Sequence, residues 1–180
     1  MNAFESVIAT LLQREGYWVI PNYKVNLTKE EKLKIGRPKA PRWEVDLIAY
    51  KGASHELIAV ECKSYLDSGG VYFKDGKLLP PSLYKLFEEP ILREVILTNL
   101  VEQLIAAESC HKNTRVYLAL ATGKISRRTD KESMSAHFKS QGWLLYDDKW
   151  VQERLCELQN AGYENEVAYV AAKLALRERL

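Results

Sequence analysis

Residues 56–65 read ELIAVECKSY, and this stretch contains the pattern that decides the fold. Its first half is an apolar run that follows a turn-like sequence, which is typical of a buried β-strand. Two charged residues, Glu61 and Lys63, then flank Cys62. An acid and a base two residues apart are unusual in a strand of this kind, because charges are expensive to bury without compensation.

The preceding strand, predicted over residues 42–50, explains where the charges can meet a partner. Side chains alternate between the two faces of a strand, so Glu61 and Lys63 share one face while Cys62 continues the apolar one. The sequence RWEVDLIAY at 42–50 carries Asp46 within an otherwise apolar strand. If the two strands form a hairpin, Asp46 lies close to Glu61 and Lys63.

Two carboxylates and one ammonium in a half-buried cluster call for a compensating charge. A hard divalent cation such as Mg²⁺ is an effective one, since it takes oxygen ligands and keeps several waters. The backbone carbonyl of Cys62 lies between the two charged side chains and is a further candidate ligand. Lys63 is suited to orient a metal-activated water or to take part in its deprotonation. The competing interpretation is a surface salt bridge at a strand end.

The order of predicted elements along the chain is α-β-β-β-α-β-α-β-α-α. Apolar spacing predicts a first helix over residues 3–15, and β-rich runs predict three strands before residue 64. A helix over 91–110 and a buried strand over 114–122 follow. Further helices are predicted near 130–140, 148–160 and 165–179, with a short strand at 143–147. This mixture predicts an α/β fold, a central mixed sheet flanked by helices on both faces.

Composition excludes several classes of protein. The 180 residues are 47% hydrophobic and 28% charged with a net charge of +2, which fits one globular domain rather than a disordered chain or a general polyanion binder. Three widely spaced cysteines predict neither a disulfide framework nor a zinc site and favour a cytoplasmic location. The first 17 residues do not resemble a signal peptide, and we expect no membrane association because no apolar run approaches the roughly 20 residues of a membrane span.

Positive charge is concentrated between residues 24 and 42. Seven basic residues stand there against two acidic ones, in a stretch predicted to be a loop over residues 26–41. A solvated loop and a phosphate-contacting loop both fit this composition, since affinity for nucleic acid rests largely on such charges. The candidate nucleic-acid-binding residues are Lys34, Arg37, Lys39 and Arg42.

The strands EVDLIAY and ELIAVECKSY together resemble the D-(x)n-E-x-K signature of the PD-(D/E)xK nuclease superfamily. That superfamily includes restriction endonucleases, Mrr-like enzymes and archaeal Holliday-junction resolvases, and its αβββαβ core has the order predicted for residues 3–122. The resemblance implies that Asp46 and Glu61 bind Mg²⁺ or Mn²⁺, that Lys63 assists the water, and that the substrate is DNA. The proline that precedes the aspartate in the family is absent, and Val45 stands in its place.

Two more residues match positions that some branches of this superfamily use. Glu5 sits at the edge of the apolar arc of the first helix, where these branches carry a metal-binding acid. Asn99 and Gln103 fall inside the apolar arc of the helix after the motif, where some branches carry a glutamine that faces the active site. For Glu5 an ordinary helix acid, and for Gln103 a structural amide network, are the alternatives.

The resemblance covers residues 2–158 and implies a nuclease-like domain over 1–160. Residues 66–90, rich in glycine and proline, are predicted to be an insertion with at most a small hairpin, and residues 161–180 a C-terminal helical extension. The sequence ATGKIS at 121–126 is not a phosphate loop, because Leu118 occupies the position of its first glycine, so no nucleotide cofactor is expected. No separate DNA-recognition domain is evident, and a homodimer or a partner would then supply targeting.

The sequence therefore predicts a Mg²⁺-dependent deoxyribonuclease in which Asp46, Glu61, Lys63, Glu5 and Gln103 form the catalytic set. Two alternatives stay open at this point. The chain could be a catalytically inactive protein of the same fold that binds nucleic acid or serves as an assembly subunit. The charged cluster could also be structural, in a protein that binds a small molecule or another protein.

Overall fold

The structure is a computed structural model that describes residues 1–162 and 164–176, with the side chain of residue 176 left out. Its helices and strands follow the predicted order, with an additional short helix after the first strand and a hairpin with a short helix in the predicted insertion. They are α1 (Ala3–Arg14), β1 (Trp18–Val25), α2 (Lys29–Lys34), β2 (Trp43–Lys51), β3 (Glu56–Lys63), β4 (Tyr72–Lys74), β5 (Lys77–Leu79), a 3₁₀ turn (Pro81–Leu83), α3 (Lys85–Glu88), α4 (Pro90–Ala106), β6 (Arg115–Thr122), α5 (Lys131–Ser140), β7 (Leu144–Tyr146), α6 (Asp148–Asn160) and α7 (Val167–Leu176).

Five of the strands form one mixed sheet in the order β1-β2-β3-β6-β7. The pairs β1–β2 and β2–β3 are antiparallel, as expected for a hairpin meander, and β3–β6 and β6–β7 are parallel. A parallel connection requires a crossover, which α4 provides between β3 and β6. The predicted α/β class with a mixed central sheet is confirmed.

Each face of the sheet carries its own hydrophobic cluster. On β3, Leu57 and Ala59 pack on the first face, against residues of α4, α5 and the β4–β5 hairpin. Ile58 and Val60 pack on the second face, against α1, α6 and α7. Both faces of β3 are thus buried, which is why its sequence is a continuous apolar run until Glu61.

The first helix begins with reciprocal hydrogen bonds between Asn2 and Glu5. The side chain of Asn2 accepts a hydrogen bond from the backbone N–H of Glu5, and the Glu5 carboxylate accepts one from the backbone N–H of Asn2. This reciprocal arrangement is a capping box, which satisfies backbone donors that a helix start leaves unpaired. The helix ends as predicted before Gly16, whose φ of +88° favours glycine.

The prediction of a loop over residues 26–41 is wrong in part, because Lys29–Lys34 forms helix α2. Thr28 caps this helix by accepting from the N–H of Glu31, and the Glu31 carboxylate accepts from the N–H of Thr28. The sequence T-x-x-E at 28–31 is a capping box signature. The high charge of the stretch concealed a helix start that the local sequence contained.

The predicted insertion is a small hairpin followed by two short helical turns. Strands β4 and β5 pair around Asp75 and Gly76, whose φ values of 51° and 77° are those of a type I′ hairpin turn. The hairpin is joined to the main sheet by a parallel bridge between Val71 and Ile125. Phe73 and Leu78 extend the first-face cluster, so the insertion belongs to the same core.

The C-terminal helix α7 packs against α1 and α6. Ala168, Tyr169 and Ala172 are buried in the second-face cluster. Of the predicted extension over 161–180, residue 163 and residues 177–180 lie outside the described part of the chain. No helix among the described residues has the length and the apolar content that crossing a membrane requires.

Candidate active site

The candidate site lies where the pairing between β2 and β3 stops. The last paired residues are Leu47 and Val60. Beyond them, the Asp46 carboxylate connects the strands by accepting a hydrogen bond from the backbone N–H of Cys62, at 2.8 Å. Asp46 therefore contacts the Glu61–Lys63 segment, as predicted. The contact is a hydrogen bond to the Asp46 side chain, at a place where regular pairing would have a bond between two backbones.

The regular alternation of β2 also breaks at this point. Alternation predicts Val45 and Leu47 on one face, but Val45 packs in the first-face cluster and Leu47 in the second. The register of β1 places Asn22 opposite Asp46, and Asn22 has a φ of 52°. The positive φ of Asn22 lies in β1 beside Asp46, where the side chains of β2 change faces, and irregular backbone often re-aims side chains next to functional sites.

Glu61 and Lys63 share one face of β3, as predicted. Their carboxylate and ammonium groups lie 3.7 Å apart, with 15% and 22% of the respective side chains exposed. Burial, together with the negative charge of Asp46, raises the pKa of Glu61 to about 7 against the opposing effect of Lys63. One ammonium group does not compensate the two carboxylates.

The Asp46 carboxyl group shows the same imbalance. Its burial raises its pKa above the ordinary value, and the charges of Glu5 and Glu44 act in the same direction. The hydrogen bond from the Cys62 N–H and the charge of Lys63 oppose this rise without reversing it. The site thus holds more negative charge than its surroundings stabilise.

Cys62 contributes its backbone rather than its thiol. The side chain is buried in the second-face cluster, and burial followed by the negative charge of Asp46 raises the pKa of the thiol. The thiol is therefore a poor nucleophile and a poor metal ligand. The N–H and the carbonyl of one strand residue point towards the same neighbouring strand, so the Cys62 carbonyl faces the side on which Asp46 lies.

Glu5 is buried, with 7% of its surface exposed, and its carboxylate is held by Asn2 through two hydrogen bonds of 2.6 and 2.8 Å. Its charge raises the pKa values of Asp46 and Cys62, which indicates that the start of α1 lies beside the β2–β3 end. The structure thus brings Glu5 near the site, as predicted. The role of Asn2 was missed, although the N-x-x-E spacing of a capping box was readable.

Gln103 is not joined to the carboxylates. Its amide oxygen accepts from the Asn26 N–H at 3.0 Å, and its amide nitrogen donates to the Asn26 carbonyl at 2.8 Å. Asn99 likewise donates to Glu31 and to the carbonyl of Val95. These bonds tie α4 to the chain after β1, so we withdraw Gln103 from the catalytic set and assign it the structural amide role.

The four predicted nucleic-acid-binding residues divide into two pairs. One guanidinium nitrogen of Arg37, Nη2, donates to both carboxylate oxygens of Glu89 at 2.7 Å, and Lys34 lies 3.3 Å from Glu94. These two ion pairs connect the α2 segment to α4. The paired carboxylates offset the positive charge of Arg37 and Lys34, which reduces the attraction of these side chains for a phosphate. Lys39 and Arg42 are exposed and have no ion pair within the described residues.

The donor set fits a hard divalent cation. No group of three histidine, cysteine, aspartate or glutamate side chains within the described residues is arranged to hold a metal. Two carboxylates, Asp46 and Glu61, and one backbone carbonyl form an all-oxygen set, which suits Mg²⁺ or Mn²⁺ because these ions keep several waters. The raised pKa values of both carboxyl groups indicate a site that a cation would stabilise.

A cavity of about 680 Å³ lies elsewhere, and its lining includes Trp18, Tyr50 and Cys110. It contains none of the candidate catalytic residues. Tyr50 and its partner Leu57 stand at the far end of the β2–β3 pairing from Asp46. The size of this cavity therefore does not identify it as the functional site, and the charged cluster remains the candidate.

Comparison of the chain with protein-family models, with curated proteins and with solved structures found no match in any of the three.

Proposed function

We propose that the protein is a divalent-metal-dependent deoxyribonuclease that hydrolyses phosphodiester bonds at the ends of β2 and β3. The observation that carries the proposal is the convergence of Asp46, Glu61 and Lys63 at the point where strand pairing ends. The carboxyl pKa values are raised there, so the cluster destabilises the metal-free protein at neutral pH. A bound cation would offset this destabilisation, because it compensates the negative charge of both carboxylates.

Asp46, Glu61 and the carbonyl of Cys62 would hold Mg²⁺ or Mn²⁺. When bound, this ion would polarise a phosphate oxygen and lower the pKa of a coordinated water. The hydrogen bond from the Cys62 N–H orients the Asp46 carboxylate. Glu5, oriented by Asn2, adds negative charge beside the site and strengthens its preference for a cation.

Lys63 would act on the water and on the phosphate. A protonated ammonium group has three donors and no acceptor, so it can hold the oxygen of the attacking water and stabilise negative charge on the phosphate oxygens in the transition state. Glu61 lies 3.7 Å from this ammonium and restrains its position. The hydrolysis forms one bond from water oxygen to phosphorus and breaks one from phosphorus to the leaving oxygen. The attacking water loses a proton to bulk solvent, and the leaving oxygen takes one from it.

The resemblance of EVDLIAY and ELIAVECKSY to the PD-(D/E)xK signature supports the same function. The order α1-β1-β2-β3-α4-β6 agrees with the αβββαβ core of that superfamily once the α2 segment and the β4–β5 insertion are set aside. The family assignment, the DNA substrate and a cytoplasmic setting are parts of this proposal. The free state of Cys62, Cys110 and Cys156 is compatible with a reducing compartment.

The direct test is cleavage of DNA by the purified protein and by Lys63→Ala. Plasmid, linear, single-stranded and branched DNA are incubated with Mg²⁺, with Mn²⁺ or with EDTA. We expect metal-dependent cleavage that the substitution reduces by about a hundredfold or more, the range for loss of one hydrogen-bond donor to the transition state. Cleavage that persists undiminished in Lys63→Ala would refute the mechanism. Lys112→Ala, an exposed lysine at the opposite end of the sheet, is the control.

A catalytically inactive DNA-binding or assembly protein is the second candidate. It is favoured by the absence of a three-side-chain metal group among the described residues and by the internal pairing of Lys63 with Glu61. Titration calorimetry separates the two. Heat on adding Mn²⁺ that disappears in Asp46→Asn supports the nuclease, whereas DNA binding with no metal heat supports the inactive protein.

A further inference from the structure

Basic side chains without carboxylate partners among the described residues occur in the α2 segment, for example Lys39 and Arg42, and also next to the insertion, where they adjoin the candidate site. Residues 71–79 and 124–131, which we call the hairpin arm, contain six basic residues and only two acidic ones. Lys131 pairs with Asp148, and the Lys124 ammonium donates to the carbonyl of Ser68 at 2.6 Å. The remaining four are exposed and have no ion pair within the described residues: Lys74, Lys77, Arg127 and Arg128.

The hairpin arm is held together by hydrogen bonds between its two parts. The N–H of Val71 donates to the carbonyl of Lys124, and the N–H of Ser126 donates to the carbonyl of Val71. The Thr129 hydroxyl accepts from the N–H of Phe73 at 3.0 Å and donates to the carbonyl of Val71 at 3.1 Å. The basic side chains therefore project from an ordered element, which reduces the entropy lost when they bind a ligand.

The arm is attached directly to the candidate active site. Thr122 pairs with Lys63 at the end of β3, and the N–H of Gly123 donates to the Lys63 carbonyl at 3.1 Å. A Cβ at Gly123 would lie 2.4 Å from the Ser64 carbonyl oxygen. The segments that follow β3 and β6 therefore leave the sheet with their backbones in contact. The second part of the arm thus begins at Lys124, two residues after Thr122, the strand partner of the candidate catalytic Lys63.

The arm also lies on the correct side of the sheet. Phe73 and Leu78 pack in the first-face cluster together with Ala59. Glu61 and Lys63 follow Ala59 on the same face by strand alternation. In the strand order, the arm stands on the β6 side of the site, and the α2 segment with Lys39 and Arg42 stands on the β1–β2 side.

We propose that the hairpin arm is the main binding surface for the phosphate backbone of the DNA substrate, with Arg128, Arg127, Lys74 and Lys77 as the contacting residues. This inference rests on the proposed function for its choice of DNA as the ligand. Arg128 lies over the ring of Tyr72, with its guanidinium carbon 4.7 Å from the ring centre. The ring restrains the guanidinium without neutralising it, so Tyr72 is a positioning residue for a phosphate contact.

The test is fluorescence anisotropy of a short labelled DNA duplex with the full chain in EDTA, where metal-dependent cleavage cannot occur. The arm variant is Lys74→Ala with Arg128→Ala. The matched control is Lys29→Ala with Lys112→Ala, two exposed lysines in α2 and in the turn before β6 that have no ion pair among the described residues. Thermal melts of both variants verify that each is folded.

Each lost phosphate contact lowers the slope of log K against log salt by about 0.9, which corresponds to roughly fivefold weaker binding near physiological salt. We therefore expect the arm variant to raise Kd by about 25-fold and to reduce the slope by about two, while the control changes neither. Tyr72→Leu should weaken binding less than loss of Arg128, and Tyr72→Phe should leave it unchanged because the ring remains.

Equal effects of the arm and control variants on Kd and slope, or no effect of either, would overturn the inference. The same conclusion follows if the chain does not bind the duplex. Cleavage by the unaltered chain in Mg²⁺ is recorded separately. Binding through the arm without cleavage supports this inference and refutes the proposed hydrolysis. Cleavage whose KM and Kd are unchanged by the arm substitutions supports the hydrolysis and refutes this inference.

Discussion

Two regions on the same face of the sheet are rich in charge, the ends of β2 and β3 and the α2 segment at residues 26–42. In the α2 segment, hydrogen bonds from the backbone of Thr28 and then from the Asn99 side chain lower the pKa of Glu31. At the end of β3, burial and the charge of Asp46 raise the pKa of Glu61 to about 7. The same residue type is stabilised as an anion in one place and destabilised in the other.

The comparison distinguishes charges that have satisfying partners from charges that are left under-compensated. Arg37, Lys34 and Glu31 each have a partner on or next to α4 that satisfies them. Asp46 and Glu61 share one ammonium group and stay under-compensated. Compensated charges are expected to contribute to stability and little to activity. Under-compensated charges are expected to do the reverse, since functional sites concentrate perturbed pKa values.

The largest expected effect is on activity at the under-compensated site. Asp46→Asn keeps an oxygen that can accept from the Cys62 N–H, but removes one negative charge from the metal site. We expect Mg²⁺-dependent cleavage to fall by more than about a hundredfold, because a metal-ion contribution is worth several kcal/mol. The matched control, Glu94→Gln, removes an exposed acid paired with Lys34 and should leave the cleavage rate unchanged. A similar loss in both variants would contradict the distinction.

The next largest effect is on the free energy of unfolding of the metal-free protein. Replacement of Glu61 should increase it at high pH, whereas most substitutions of buried residues lower it. In EDTA, the folded protein keeps the Glu61 proton up to about pH 7, whereas the unfolded chain releases it near 4.5. The free energy of unfolding should therefore fall as pH rises from 4.5 to 7, by at most about 3 kcal/mol.

Glu61→Gln removes this dependence, so the variant should be more stable than the original chain at pH 8, equally stable at pH 4, and inactive in cleavage. Urea unfolding at both pH values measures the difference. A Glu61→Gln variant that is less stable at pH 8 would show that Lys63 already compensates the carboxylate. Glu31→Gln, by contrast, should lower stability by less than about 1 kcal/mol at pH 8, because it weakens bonds to an anion.

A smaller effect is expected in the α2 segment. Arg37→Ala removes the two hydrogen bonds from Nη2 to the Glu89 carboxylate and the contact of the guanidinium with the Trp43 ring, at 5.9 Å from the ring centre. The half-buried pair should be worth about 1–2 kcal/mol of unfolding free energy. Cleavage per folded molecule should not change. Lys39→Ala, an exposed neighbour, is the stability control, and a loss of DNA affinity in Arg37→Ala alone would return Arg37 to the binding set.

The smallest effect is expected at Gln103. Gln103→Leu leaves the N–H and carbonyl of Asn26 to bond water, so the loss of stability should stay below about 1 kcal/mol. Cleavage kinetics should match those of the original chain. A large decrease in kcat with unchanged stability would place Gln103 back among the catalytic residues, against its observed bonds.

The sequence predicted the order of elements well because each depends on local patterns. The apolar run before Glu61, the Asp75–Gly76 turn and the β-rich segments are signals within a few neighbouring residues. The capping boxes at Asn2 and Thr28 are equally local signals, because each depends on two residues three positions apart. The misplacement of Val45 has another origin, since strict alternation fails where two strands separate.

By itself, the sequence determined which strands carry acids and a lysine, and it brought Asp46 into reach of Glu61 through a simple hairpin register. Only the tertiary structure decided the partners of long polar side chains. Gln103 meets Asn26 across 77 residues, and Arg37 meets Glu89 across 52. Such pairs depend on how helices dock, not on periodicity. The same is true of the pKa of Glu61, because burial and neighbouring charge come from the whole fold.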